Sequence, residues 1–124
     1  MIFQQQLDGL VAAIPGARAG ILMGLDGLAL AASQADAAPV DAAAQLTAMA
    51  PWVRGLAAAS VANRGGDATW ELVVAHPGQT WVLRLVGPEH FAAVLLGPGG
   101  WPGRARFELK QIALTIAQAL GIVR

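Results

Sequence analysis

The stretch from Pro39 to Gly65 constrains the fold more than any other part of the chain; it reads PVDAAAQLTAMAPWVRGLAAASVANRG. It lacks the alternation of a strand and is dominated by alanine, the best helix former. Asp36 is placed to cap its start, because this leaves Pro39 in the first turn, where a missing N–H is harmless. The sequence therefore predicts one long helix, kinked at Pro51 since proline removes a backbone hydrogen bond.

Both faces of this helix are poor in charge. One stripe recurs at the spacing of a helix face and suits packing on a sheet: Leu46, Met49, Val53, Leu56, Ala57 and Ser60. The opposite face consists of small residues between two different flanks: Ala44, Ala48, Gly55, Ala58, Ala59 and Ala62, with Trp52 and Gln45 on one flank and Arg54 on the other. A helix that is apolar all round usually has a neighbour on both sides. Alanines are equally harmless on a solvent-exposed surface, so the helix alone does not decide whether its second face has a neighbour.

The composition indicates self-association or a partner. Of the 124 residues, 56% are hydrophobic and 13% are charged, against a usual charged share of about 25%. So little charge leaves apolar surface exposed, and contact with another chain covers it. Eight basic residues balance eight acidic ones, which favours neither nucleic acid nor a membrane as a partner. The length predicts a single domain over residues 1–124.

The sequence predicts a cytoplasmic protein. The chain has no cysteine, which excludes a disulfide framework and thiolate chemistry. It begins MIFQQQLDG, without the basic region of a signal peptide. No apolar run approaches the ~20 residues that span a bilayer.

A first helix and a first hairpin precede the long helix. Apolar residues at helical spacing predict a short amphipathic helix: Phe3, Leu7, Leu10, Val11 and Ile14. Asp26-Gly27 then separates two apolar runs, residues 18–25 and 28–33, and this dipeptide is the strongest short hairpin signal. Both runs are apolar at intervening as well as alternate positions, so we expect both strands to be covered on both faces.

Three further strands and a closing helix follow the long helix. Pro77-Gly78 favours a type II turn between strands 69–76 and 79–86. A turn centred there places three pairs of residues opposite each other: Glu71 and Arg84, Val74 and Trp81, Trp70 and Leu85. Residues 91–96 form the last strand, and helical spacing predicts a closing helix from Leu109, Ile112, Ala113, Ile116, Leu120 and Val123. The predicted order αββαβββα makes this an α+β fold.

Ile14-Pro-Gly-Ala17 is followed by an apolar strand, an Asp-Gly turn and a strand of small residues, Ala19-Gly-Ile-Leu-Met-Gly-Leu-Asp-Gly-Leu-Ala-Leu-Ala31. This pattern resembles the opening of the Roadblock family, the dynein light chain roadblock-type domains, in its bacterial and archaeal branch. Element order and length fit over the whole chain. The resemblance implies a Roadblock/profilin-like fold: a central mixed or antiparallel five-stranded sheet, with the long helix on one face and the two terminal helices on the other. Pro51 departs from the family, whose long helix is expected to be continuous.

The resemblance also implies a homodimer in which the strand after the long helix pairs with its twin. The expected interface residues are Ala44, Trp70, Leu72 and Val74. Family members commonly bind small Ras-like GTPases as regulators or scaffolds, and some are GTPase-activating proteins. In this chain the expected GTPase-binding surface is the outer face of the long helix: Gln45, Ala48, Trp52, Arg54, Gly55 and Ala59. A PAS- or GAF-like ligand-sensing module and a purely structural dimerisation module stay open as alternatives.

No residues in the sequence follow the pattern of a catalytic or metal site. His76 and His90 each sit beside a turn, without a second ligand at metal-binding spacing. The glycine-rich run 97–103 lacks the Gly-Lys-Ser/Thr ending of a phosphate loop. We therefore expect a protein that is not an enzyme and has no cofactor. Among the tryptophans, Trp52 is expected to be partly exposed as an interface anchor and Trp81 to be packed.

Overall fold

The computed structural model describes residues 2–35, 41–63 and 71–121. Its helices and strands follow the predicted order αββαβββα: α1 (Ile2–Ala13), β1 (Ala17–Gly24), β2 (Ala29–Gln34), α2 (Ala42–Asn63), β3 (Glu71–His76), β4 (Gln79–Val86), β5 (His90–Leu96) and α3 (Pro102–Ala119). The strand boundaries agree with the predicted ones to within one residue, and the predicted start of the third strand at residue 69 lies outside the described residues.

The five strands form one antiparallel sheet in the order β2-β1-β5-β4-β3. α1 and α3 pack on one face, where Leu10 and Leu109 join a core cluster. α2 packs on the other face, where Leu46 and Phe91 belong to a second cluster. Because successive side chains of a strand point to opposite faces, each strand of the sheet centre serves both cores. The predicted fold class and layer arrangement are confirmed.

The start of α2 differs from the prediction. Asp41 is the capping residue: its Oδ1 accepts the N–H of Ala44 at 3.0 Å, and its carbonyl accepts the N–H of Gln45 at 3.1 Å. An N-cap carboxylate satisfies backbone donors of the first turn in this way. The predicted cap at Asp36 was therefore wrong, although Asp36 itself lies outside the described residues. The helix continues through the exposed Pro51 without a break.

The buried face of α2 is built from smaller residues than the spacing predicts. Its five buried positions fall at helical spacing: Ala42, Leu46, Ala50, Val53 and Ala57. Leu56 was assigned to this face but is 36% exposed, because it lies to one side of the line through Val53 and Ala57. Met49 is partly buried, and the side chain of Ser60 lies outside the described part.

The first hairpin forms at the predicted place. Gly27 donates its N–H to the Gly24 carbonyl at 3.0 Å and has a φ of +88°, while Asp26 Oδ1 accepts the N–H of Leu28 at 3.0 Å. A left-handed glycine and an Asp side chain bonded to its own turn are typical of such loops. The hairpin is thus confirmed at Asp26-Gly27.

The expectation that both arms are covered on both faces holds for β1 and was wrong for β2. β1 is central and buried from Ala19 to Gly24, whereas β2 is an edge strand with mostly exposed residues. α1 covers one face of β2. There the hydroxyl of the buried Ser33 donates a hydrogen bond to the Asp8 carboxylate of α1, as does Gln4 of the same helix, and these bonds lower the pKa of Asp8. The core cluster under α2 draws its buried strand residues from β1, β4 and β5, and Leu30 of β2 stays exposed.

The second hairpin has the predicted register. Glu71 lies opposite Arg84 and Val74 opposite Trp81, and Gly78 has the positive φ, +82°, that a type II turn requires. The Glu71 carboxylate contacts Arg84 Nη1 at 3.4 Å and Arg106 Nη2 of α3 at 3.3 Å. Edge strand β3 is therefore tied to α3 as well as to β4. The predicted pairing of Trp70 with Leu85 lies outside the described residues.

Candidate functional site

The outer face of α2 carries most of the residues expected to bind a partner. Five of the six are exposed, and Gln45 is partly buried: Ala48, Trp52, Arg54, Gly55 and Ala59 are the exposed ones. Trp52 is 49% exposed, so about half of this large aromatic side chain faces solvent. The helix therefore presents a large aromatic ring on a surface of small residues.

Two hydrogen bonds fix how this face is oriented on the sheet. Gln79 Nε2 of β4 donates to Gln45 Oε1 at 3.1 Å, and Arg54 Nη1 donates to the Leu25 carbonyl of the first hairpin at 2.9 Å. Trp52 follows Gln45 by seven residues, so it lies on the same flank of the helix. The structure thus brings Trp52 and Gln45 together on the β4 flank and separates them from Arg54.

Leu56 is a surface residue, although its spacing in the sequence predicted a place on the buried face. It follows Trp52 by four residues, so the two side chains are neighbours on the β4 flank, and both are among the large exposed apolar residues. We call these two residues the Trp52–Leu56 strip. The signal was present in the sequence, since the same spacing that places Trp52 beside Gln45 also places Leu56 beside Trp52.

The residues expected in a dimer interface lie at the β3 edge of the sheet or on α2. Leu72 and Val74 are partly buried and pack against the α2-side core, and Ala44 is exposed on α2. On the other face of β3, Val73 is exposed. β3 has β4 on one side and ends the sheet on the other. Trp70 lies outside the described residues.

The described residues show little catalytic or ligand-binding chemistry near the glycine-rich run. Arg104 is paired with Glu108 at 3.1 Å and Arg106 with Glu71 at 3.3 Å, so the two arginines that follow this run in the sequence already have carboxylate partners. Within residues 2–35, 41–63 and 71–121, no group of three His, Asp or Glu is arranged to hold a metal ion. None of the described helices is long and apolar enough to cross a membrane.

No protein-family model and no curated protein sequence matches the chain. Solved structures that are similar to it over nearly its whole length include the three that follow. MglC from Myxococcus xanthus is 27% identical, with a TM-score of 0.74 over 96% of this chain and 99% of that chain. A Roadblock/LC7 domain from Streptomyces avermitilis is 23% identical, with a TM-score of 0.74 over 94% and 96% of the two chains. Myxococcus xanthus MglB is 12% identical, with a TM-score of 0.79 over 98% and 96%.

These structural neighbours are Roadblock/LC7 domain proteins. The resemblance seen in the first hairpin and in the element order is therefore confirmed by the fold.

Proposed function

We propose that the protein is a non-catalytic, homodimeric regulator or scaffold that binds a small Ras-like GTPase. The observation that carries the proposal is the outer face of α2, a 22-residue helix in which Arg54 is the one charged residue. Trp52 is exposed on it, and tryptophan is enriched among the residues that dominate binding energy. The likeness to MglC and MglB supports the same role.

β3 is the contact that we propose between two copies. An edge strand offers a row of unpaired backbone groups, and antiparallel pairing of two β3 strands would satisfy both rows. Leu72 and Val74 would then lie beside their counterparts on the α2 side, and Ala44 and Trp70 are assigned to the same interface. The two α2 helices would lie side by side, with both Trp52–Leu56 strips facing the groove between them.

A GTPase that docks on the outer faces of the two α2 helices would contact Gln45, Ala48, Trp52, Gly55 and Ala59. Arg54 lies on the far flank and would reach an acidic group at the rim. A GTPase-activating role would need no catalytic side chain from this chain if docking orders the GTPase's own catalytic residues, since phosphoryl transfer depends chiefly on positioning and electrostatics.

Val74→Arg should convert the dimer to monomer or aggregate. The substitution places a charge in the paired strand region, and a stable homodimer typically buries more than ~2,000 Å². Sedimentation velocity at micromolar concentration measures the outcome, with circular dichroism to check folding. Leu114→Arg, an equally charged change on the outer face of α3, should leave the dimer intact. A wild-type protein that sediments as a monomer contradicts the proposed assembly.

Binding of a Ras-like GTPase is the direct test of function. Each Ras-like GTPase of the source organism, loaded with GDP or with a non-hydrolysable GTP analogue, is titrated by calorimetry. We expect at least one to bind with a Kd of about 1 μM or below, which corresponds to about −8 kcal/mol. The chain alone, titrated with GTP, should show neither binding nor hydrolysis. If no GTPase binds in either nucleotide state, the proposed function is wrong.

A further inference from the structure

A cleft of about 440 Å³ lies at the end of the sheet, between the first hairpin, α2 and the turn before β5. Its walls combine three leucines with charged and polar side chains: Leu25, Leu28, Leu30, Asp26, Arg54, Glu89 and His90, together with Gly24. Leu28 is 69% exposed. The volume lies within the range of sites that hold a small group, about 300–1,000 Å³.

The walls of the cleft are held in place by the backbone. The N–H of Leu25 donates to the Glu89 carbonyl at 2.8 Å, and the N–H of Gly24 donates to the Leu28 carbonyl at 2.9 Å. On the α2 side, Thr47 Oγ1 donates to the Gly27 carbonyl at 3.2 Å. The cleft is therefore formed before anything enters it, which lowers the entropic cost of binding.

A bulge in β2 turns Leu30 toward the cleft. Ala29 pairs with Met23 and Ala31 pairs with Leu22, so Leu30 is an extra residue without a partner across β1. Bulges occur often beside functional sites, where they redirect a side chain. Here the bulge places an apolar side chain at the rim of the cleft, where a bound ligand would cover it.

The polar groups of the cleft select for a cation. Asp26 and Glu89 have no salt-bridge partner among the described residues, whereas Glu71 and Glu108 are both paired with arginines. Arg54 is the one guanidinium in the lining, and the Leu25 carbonyl already accepts one of its N–H groups. Two carboxylates against one restrained guanidinium give the cleft an excess of negative charge.

His90 is a further polar group in the wall of the cleft. Its Nδ1 atom is buried and has no hydrogen-bond partner among the described residues. A buried ring nitrogen without a partner is rare in folded proteins and needs a specific explanation. A polar ligand seated in the cleft would change the surroundings of this ring.

We propose that this cleft binds a lysine or arginine side chain of a partner protein. The alkyl stem of such a side chain packs on Leu25, Leu28 and Leu30, while its charged end reaches the carboxylates of Asp26 and Glu89. Long basic side chains combine these two properties, an apolar stem and a cationic tip. The proposal does not depend on GTPase binding at α2, because the side chains proposed to hold the ligand belong to the first hairpin and the β4–β5 turn.

Titration of the ¹⁵N-labelled protein with blocked pentapeptides tests the cleft. The probe is Gly-Ser-Lys-Ser-Gly, and the matched control replaces lysine by norleucine, which keeps the stem and removes the charge. We expect the lysine peptide to shift the amide signals of Leu25, Leu28 and Glu89 with a Kd in the millimolar range. It should bind about two- to fivefold more tightly than the norleucine peptide, since an exposed ion pair contributes up to about 1 kcal/mol. Equal affinity for the two peptides, or shifts confined to other residues, overturns the proposal.

Conservative variants separate a cation site from an anion site. Glu89→Gln and Asp26→Asn should each weaken binding of the lysine peptide about two- to fivefold, and Asn-Gly preserves the turn. Leu28→Ser should also weaken binding, whereas Leu114→Ser, a matched change of an exposed leucine on α3, should not. Tighter binding after Glu89→Gln, or binding of free n-butylamine ten times more tightly than the peptide, contradicts the proposal.

Discussion

Trp81→Ala should lower the free energy of unfolding by about 3–5 kcal/mol, the usual cost of truncating a buried aromatic residue. Trp81 is 1% exposed and is among the largest fully buried side chains of the protein. It belongs to the core cluster under α2 and pairs with Val74 of the edge strand. Its loss would leave a cavity that neither the helix nor the strand can close without moving.

Urea unfolding followed by circular dichroism measures this effect. Trp101→Ala is the matched control, because Trp101 is exposed immediately before α3, and its removal should change stability by no more than about 0.5 kcal/mol. Equal stability losses for the two variants would show that burial of Trp81 is not what stabilises the sheet under α2.

Trp52→Ala should weaken binding of the GTPase at least about thirtyfold, because truncation of a dominant interface residue typically costs 2 kcal/mol or more. Trp52 is exposed, so its ring is available to a partner without any rearrangement of the core. Dimerisation and thermal stability should change little. Calorimetric titration with the GTPase, beside a thermal melt of the variant alone, measures both quantities.

Phe107→Ala supplies the control for this experiment. Phe107 is similarly exposed but lies on α3, across the sheet from α2, and its truncation should leave GTPase affinity unchanged. A Trp52→Ala protein that unfolds while its residual binding stays normal would mean that Trp52 supports the fold and that the GTPase docks elsewhere.

Turn chemistry explains much of what could be predicted from the sequence. Asp26-Gly27 and Pro77-Gly78 define their hairpins through interactions between residues close in the chain, and the structure has both glycines at positive φ. Once the second turn is centred, the pairing of Glu71 with Arg84 follows from counting residues along the two strands. Local rules suffice here because each hairpin needs no information from the rest of the fold.

The errors concern exposure, which depends on the position of an element within the whole fold. β2 is rich in apolar residues, yet the sheet order places it at an edge, where the core cluster under α2 includes none of its residues. The position of the cap of α2 is also beyond local rules, because an aspartate is a favourable cap at either Asp36 or Asp41, and the structure has Asp41.

Of the two candidate surfaces, the one on α2 follows from local spacing and the cleft does not. The separation of Trp52 from Arg54 on α2 follows from helical spacing alone. The cleft could not be predicted, because it joins Leu28, Arg54 and Glu89 from three distant parts of the chain. The two hydrogen bonds that orient α2, from Gln79 and to Leu25, also join distant segments.

The position of β5 between β1 and β4 determines when the sheet can form during synthesis. β1 is the first of the five strands to leave the ribosome, but its inner edge pairs with β5, residues 90–96, which is the last of them to be made. Until then the nascent chain holds two hairpins and two helices, whose apolar surfaces lack the central strand that joins them, a state prone to aggregation. Contacts so far apart in the chain also slow folding. A ribosome that stalls before residue 90 would therefore release a chain unable to close its sheet.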